Sequence, residues 1–105
     1  MSTIIRAPRQ VVVNFANGAT TQTEPAVDIG DCSSAAFIVP AEFNGDTLRI
    51  KTNVSGDTGF TFVAATGRNN LDSDQAAAFF PMHNMIIETS VATSAAASIT
   101  VLLKQ

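Results

Sequence analysis

Apolar and polar side chains alternate with a period of two along much of this chain, a pattern that belongs to strands with one dry face and one wet face. It is clearest over residues 47–55, where Leu48, Ile50 and Val54 share one side and Arg49, Lys51 and Asn53 the other. Phe60, Phe62 and Ala64 alternate in the same way with Thr61 and Val63. Between the two runs lies Ser55-Gly56-Asp57-Thr58-Gly59, rich in residues that accept turn geometry, so the pair reads as a hairpin. Near the start, Val11, Val13 and Phe15 alternate with Val12 and Asn14, and Asn17-Gly18 follows as a turn signal. Near the end, Ile99, Val101 and Leu103 alternate with Thr100, Leu102 and Lys104. Residues 26–29, 35–39 and 85–90 are shorter strand candidates.

Helical periodicity is scarce. Over residues 72–80, Asp72 or Ser73 could cap a short helix and Pro81 would stop it. A strand through residues 77–80 competes with that reading and is preferred because of an internal similarity. Ala35-Ala36-Phe37-Ile38-Val39-Pro40 precedes Leu48-Arg49-Ile50-Lys51-Thr52, and Ala77-Ala78-Phe79-Phe80-Pro81 precedes Met85-Ile86-Ile87-Glu88-Thr89. Each unit is an apolar run, a proline that cannot continue a central ladder, a connector and an alternating strand. Residues 92–97, although rich in alanine, are expected to be a loop between two strands.

Residues 1–9 contain Pro8 and no alternation and are expected to form an extended N-terminal arm, ordered by a neighbour. Residues 10–105 then make one domain, within the usual size of a single core. About eight short strands with paired strand–Pro–strand units predict an all-β fold, a two-sheet antiparallel β-sandwich of jelly-roll character. Phe15, Phe37, Phe60, Phe62, Leu48, Ile50, Ile87, Val101 and Leu103 are the expected core. All seven aromatics are Phe, so none carries a polar handle, which suits burial better than ligand stacking.

Composition narrows the function classes. Charged residues make up 14% of the chain, against the usual ~25%, which leaves a surface weakly defended against association. The net charge of −3 and the scatter of Arg6, Arg9, Arg49, Lys51, Arg68 and Lys104 argue against a phosphate-neutralising stripe, so nucleic acid is not an expected partner. No apolar run is long enough for a membrane span, and the start lacks the apolar core of a signal peptide. The expectation is a protein used without secretion by that route. The single cysteine, Cys32, excludes an intramolecular disulfide; Asp28 and Asp31 beside it oppose a reactive thiolate, so it reads as a small buried residue.

A search for chemistry finds no constellation. His83 lies in Pro81-Met82-His83-Asn84 with no Cys or His at metal-ligand spacing, and the nearest downstream carboxylate is Glu88. No serine sits in G-x-S-x-G, and no glycine-rich phosphate loop is present. Glu42, Asp57, Asp72 and Asp74 fall in polar connectors, where turn chemistry accounts for them. Asp72-Ser73-Asp74 lacks the spacing of a calcium loop, and Asn53-Val54-Ser55 matches a glycosylation acceptor only in form. No catalytic, cofactor-binding or metal-binding residue is assigned, and the chain is not expected to be an enzyme.

One group shares the order of these parts: an apolar strand leading to Pro40, then Glu42-Phe43-Asn44-Gly45-Asp46-Thr47, the strand Leu48-Arg49-Ile50-Lys51, the Ser55-Gly56-Asp57 turn, Phe60-Thr61-Phe62-Val63, the Pro81 unit and a terminal strand over 99–103. In this order, over roughly residues 26–104, the chain resembles small structural proteins of tailed bacteriophage virions, particularly the jelly-roll proteins that decorate or cement heads. The resemblance rests on pattern and on no diagnostic motif. It implies a homo-oligomer, dimer or trimer, seated on the major capsid protein or other virion subunits and assembled in the host cytoplasm. A tail or fibre component and a carbohydrate-binding sandwich module are the alternatives. The lack of Trp and Tyr, the usual sugar platforms, counts against the last.

Overall fold

The computed structural model describes residues 9–30, 34–52 and 59–104. Alternation becomes eight strands: β1 (Arg9–Phe15), β2 (Val27–Asp28), β3 (Ser34–Val39), β4 (Thr47–Lys51), β5 (Phe60–Val63), β6 (Gly67–Asn70), β7 (Asn84–Thr89) and β8 (Ala97–Lys104). A 3₁₀ turn at Ala41–Phe43 precedes β4, and one helix, α1 (Ser73–Phe79), precedes β7. The strands form two antiparallel sheets ordered β1-β8-β3-β6 and β2-β7-β4-β5. The pairs β1·β8, β2·β7, β3·β6 and β4·β5 are nested, so the chain is one long hairpin rolled over on itself. Only the β4–β5 connection stays within a sheet; the others cross from one sheet to the other. This nesting is the jelly-roll arrangement, and the expected two-sheet sandwich is what the chain forms.

The long strands follow the period-two pattern. Val13, Phe15, Leu48, Ile50, Ile99, Val101 and Leu103 are buried, while their sequence neighbours face out. The β4–β5 hairpin pairs Leu48 with Phe62 and Ile50 with Phe60. Its tip, with Asn53, Val54 and the 55–58 turn, lies outside the described residues. Gly59 has φ +47°, and a Cβ there would collide with the Ile50 carbonyl, so the return into β5 accepts glycine alone without a backbone shift. Arg9 already pairs with Leu103, so β1 starts one residue inside the segment expected as an arm; residues 1–8 are outside the described residues.

Strands do not close the sandwich by themselves. Strand direction reverses at every step, so connections β1–β2, β3–β4, β5–β6 and β7–β8 gather at one end and the other three at the opposite end. Each end is plugged by a phenylalanine from a connection. Phe43, in the 3₁₀ turn, is fully buried with its ring edge-on to Phe15, centroids 4.9 Å apart. Phe79, in α1, is fully buried against Phe37 at 5.8 Å and Phe60 at 6.1 Å. Neither was in the expected core. Phe60 and Phe62, which were, are only half-buried because β5 is an edge strand.

Two other expectations change. Residues 72–80 contain a helix and not a strand. Asp72 accepts the Gln75 backbone N–H at 2.8 Å while the Gln75 side chain accepts the Asp72 N–H at 3.0 Å, a reciprocal box that satisfies two otherwise orphaned donors. The similarity between the two proline units is therefore one of sequence alone, since the first begins with β3 and the second with α1. β6, Gly-Arg-Asn-Asn, was not expected, having no apolar alternation of its own. It is a strand because β3 offers it a ladder from Ala36 to Val39.

Truncating the helix plug tests this account of closure. Phe79→Ala should cost about 3–5 kcal/mol, read from a urea unfolding midpoint, by emptying a fully buried site. Phe80→Ala, at a half-buried neighbour, should cost clearly less.

Candidate functional site

A sandwich interacts through its loop ends, its outer faces and its sheet edges, and here the three differ in character. At the end holding the β1–β2, β3–β4, β5–β6 and β7–β8 connections, side chains stitch the loops together. Buried Thr93 donates its hydroxyl to the Ala16 carbonyl at 2.6 Å and accepts the Ala19 N–H at 3.2 Å. Glu42 accepts the hydroxyl of Ser94 at 2.9 Å and also its backbone N–H. Asn44 accepts the Thr66 N–H at 3.1 Å, and Asn69 closes the next turn by accepting the Ala65 N–H and donating to the Ala65 carbonyl. The bonds from Ser94 hold the Glu42 carboxyl below its ordinary value of 4.5. For Glu24, desolvation pushes the carboxyl up, but bonds from the Asn14 backbone and side chain, with smaller help, bring the balance below 4.5.

The outer faces are unlike. On the face of β2-β7-β4-β5, Asp28, Arg49, Lys51 and Glu88 point out, and Lys51 pairs with Glu88 at 3.2 Å. On the face of β1-β8-β3-β6, register places Val12, Thr100, Ile38 and Arg68 in one row and Gln10, Leu102, Ala36 and Asn70 in the next. Arg68 and Lys104 are the charges that its described strands place on this face, Arg9 of β1 being in register with the inward positions, so its centre is neutral and partly apolar.

The sheet edges are managed individually, as they must be if the domain is not to pair indiscriminately. β2 is two residues long and leaves much of the β7 edge bare. Gln22 fills that gap: its N–H donates to the Ile87 carbonyl at 3.2 Å and its side-chain oxygen accepts the Ile87 N–H at 2.7 Å. The other half of the amide donates to the Pro25 carbonyl at 3.1 Å, so a buried side chain stands in for a missing strand. Beyond it, Thr89 donates to the Thr20 carbonyl. β5 lies beside α1, whose Gln75 reaches the Thr61 carbonyl at 3.5 Å. β6 is short and carries Arg68.

β1 is the exception: seven residues, with no charge or proline from Gln10 to Phe15. At Asn14 its edge is covered, because the N–H donates to Glu24 at 2.9 Å and the carbonyl accepts the Thr23 N–H at 2.8 Å. Since outward backbone groups recur every second residue, those of Gln10 and Val12 point the same way. Among the described residues they have no partner. Val12 is also 50% exposed.

Residues weighed for chemistry are dispersed. His83 is exposed in the turn before β7 with φ 63°, and its carbonyl accepts the Ile29 N–H at 2.8 Å. Asp72 caps α1, Asp74 sits in its first turn, Glu42 braces a loop and Glu88 pairs with Lys51. Cys32 and Asp57 lie outside the described residues. Among the described residues no group of three or more His, Cys, Asp or Glu could hold a metal ion, and no helix is long and apolar enough to cross a membrane. Sequence reading missed Gln22 and the β1 edge. Nothing local marks Gln22, whereas the charge-free run Gln10-Val11-Val12-Val13-Asn14 was a visible signal.

Fold and edges thus define a jelly-roll domain with one long edge strand, β1, which among the described residues is covered at Asn14 and not at Gln10 and Val12. No family model matches the chain, and no curated protein matches it. Among solved structures, it is similar to the crystal structure of the SPBc2 prophage-derived protein YomS, with a TM-score of 0.56 at 8% identity, covering 99% of this chain and 100% of that one. At that identity the likeness is one of fold.

Two measurements test the roles given to these polar groups. Gln22→Met keeps the volume but strands the Ile87 N–H and should lower stability by about 1–3 kcal/mol in denaturant titration. Glu24 and Glu42 have lower carboxyl values folded than unfolded. Their contribution is therefore present at neutral pH and lost as pH falls from 4.5 through the lowered folded values. The urea midpoint should drop over that range, and Glu24→Gln with Glu42→Gln should flatten the drop.

Proposed function

We propose that this chain is a non-enzymatic structural protein of a bacteriophage virion, acting on the head as a decoration or cement subunit. The observation that carries the reading is the end-to-end fold correspondence with a prophage-derived protein. The neutral centre of the β1-β8-β3-β6 face and the β1 edge at Gln10 and Val12, bare among the described residues, add to it, since both are surfaces suited to neighbours. The physical role is mass action: a subunit that binds the assembled lattice and not its separate parts stabilises the lattice. The subunit acts as a homo-oligomer in contact with the major capsid protein, is assembled in the host cytoplasm, and uses its first residues as an arm toward a neighbour.

Incubation of the purified protein with heads lacking it, followed by sedimentation, tests this reading. Binding should saturate at a fixed copy number per head, and loaded heads should retain DNA to a higher temperature. Deletion of residues 1–9 should weaken loading while the far-ultraviolet spectrum keeps its β character. Co-sedimentation with tails and not heads would reassign the protein to the tail, and failure to appear in purified particles at all would end the virion reading.

A further inference from the structure

Of the four sheet edges, three are short or accompanied by other elements, whereas β1 is long and, among the described residues, is covered at Asn14 but not at Gln10 and Val12. We infer that β1 pairs antiparallel with β1 of a second copy about a two-fold axis through Val11, joining two β1-β8-β3-β6 sheets into one continuous sheet. The inference deepens the homo-oligomer part of the reading above and rests on it.

Register singles out this arrangement. Val11 and Val13 direct their backbone groups to β8, opposite Val101 and Ile99, while Gln10 and Val12 direct theirs outward. With the axis at Val11, Gln10 faces Val12 of the partner and Val12 faces Gln10 of the partner. Both are then hydrogen-bonded pairs, and every outward N–H and C=O of the two residues is used. The ladder cannot extend. Its next pair would match Pro8, which has no N–H, with an Asn14 whose N–H and carbonyl are already held by Glu24 and Thr23. An axis at Val12 would press Gln10 against that covered Asn14. An axis at Gln10 would place Val12 opposite Pro8 and waste an acceptor.

The occupant follows from charge as well as register. The Gln10–Asn14 run is uncharged, so two copies meet without repulsion, and the guanidinium of Arg9 is turned away to the Asp28 carbonyl at 3.2 Å. A two-fold contact of this kind closes on itself and does not propagate into fibres. Side chains agree: Val12, half-exposed in the single subunit, comes beside the Gln10 of the partner in a row that runs on, within its own subunit, to Thr100 and Ile38.

Three proteins compared by sedimentation over a hundredfold dilution test the pairing: the wild type, Gln10→Lys/Val12→Lys and Gln10→Glu/Val12→Lys. Both positions are exposed, so each variant should keep the wild-type circular dichroism. The pairing predicts a wild-type dimer. Two lysines set opposite two lysines should raise its dissociation constant at least about tenfold, and the Glu/Lys variant should return to within about tenfold of wild type. Amides of Gln10 and Val12 should exchange slowly in the dimer and quickly after dilution. A wild-type trimer or monomer, a Lys/Lys variant that dimerises like wild type, or equal loss in both variants would overturn the pairing. Head loading is measured separately, so the virion reading can survive or fail on its own.

Discussion

Two sheets laid face to face enclose an apolar slab that is dry in the middle and open around its rim, and closing that rim is the constraint on which the rest of this structure depends. The interior is supplied by ordinary alternating strands. Its ends need bulk from segments that are not strands, and Phe43 and Phe79 provide it from a 3₁₀ turn and a seven-residue helix. This explains why the helix exists at all. It is too short to be stable alone, and it persists because Asp72 and Gln75 cap it and because Phe79 is held among Phe37, Phe60 and Phe80.

The same constraint accounts for the uses of polar residues. Loops that cross between sheets carry backbone groups which must be paired, and neutral side chains do much of that pairing here: Gln22, Thr93, Asn44 and Asn69. Among the described residues no buried side-chain nitrogen or oxygen lacks a partner. A chain that stabilises its loops with amides and hydroxyls needs few ion pairs. The one ion pair among the described residues, Lys51–Glu88, is a surface contact worth at most about 1 kcal/mol. The low charge content is thus partly a consequence of architecture. It leaves the centre of the β1-β8-β3-β6 face neutral, as a surface for neighbours would be.

The edges show how selectively this economy is applied. Gln22 on β7, α1 beside β5 and Arg68 on β6 are each a different answer to the same hazard of unpaired strand groups. Against them, an edge that among the described residues is bare over Gln10 and Val12 and covered at Asn14 has a defined length. A bounded edge of that kind limits the proposed pairing of two copies to one register, which is what would separate specific association from aggregation.

Where periodicity is local, the sequence alone determined the outcome: the inward faces of β1, β4, β5 and β8, the hairpin between β4 and β5, and the two-sheet class all follow from alternation with period two, because neighbouring side chains on a strand point to opposite sides whatever the partner. Tertiary structure decided the rest. β6 has no pattern of its own and is a strand only by pairing with β3. Residues 72–80 carry an Asp-x-x-Gln cap as well as an apolar run resembling that before Pro40, and the helix prevails where reciprocal capping and the Phe79 socket act together. Gln22 and Phe43 sit in connectors that read as ordinary loop, since a side chain's burial there depends on which distant strands surround it. Local spacing records which way a side chain points along a strand; which rim it closes and which edge it covers are settled only when residues far apart in the chain are brought together.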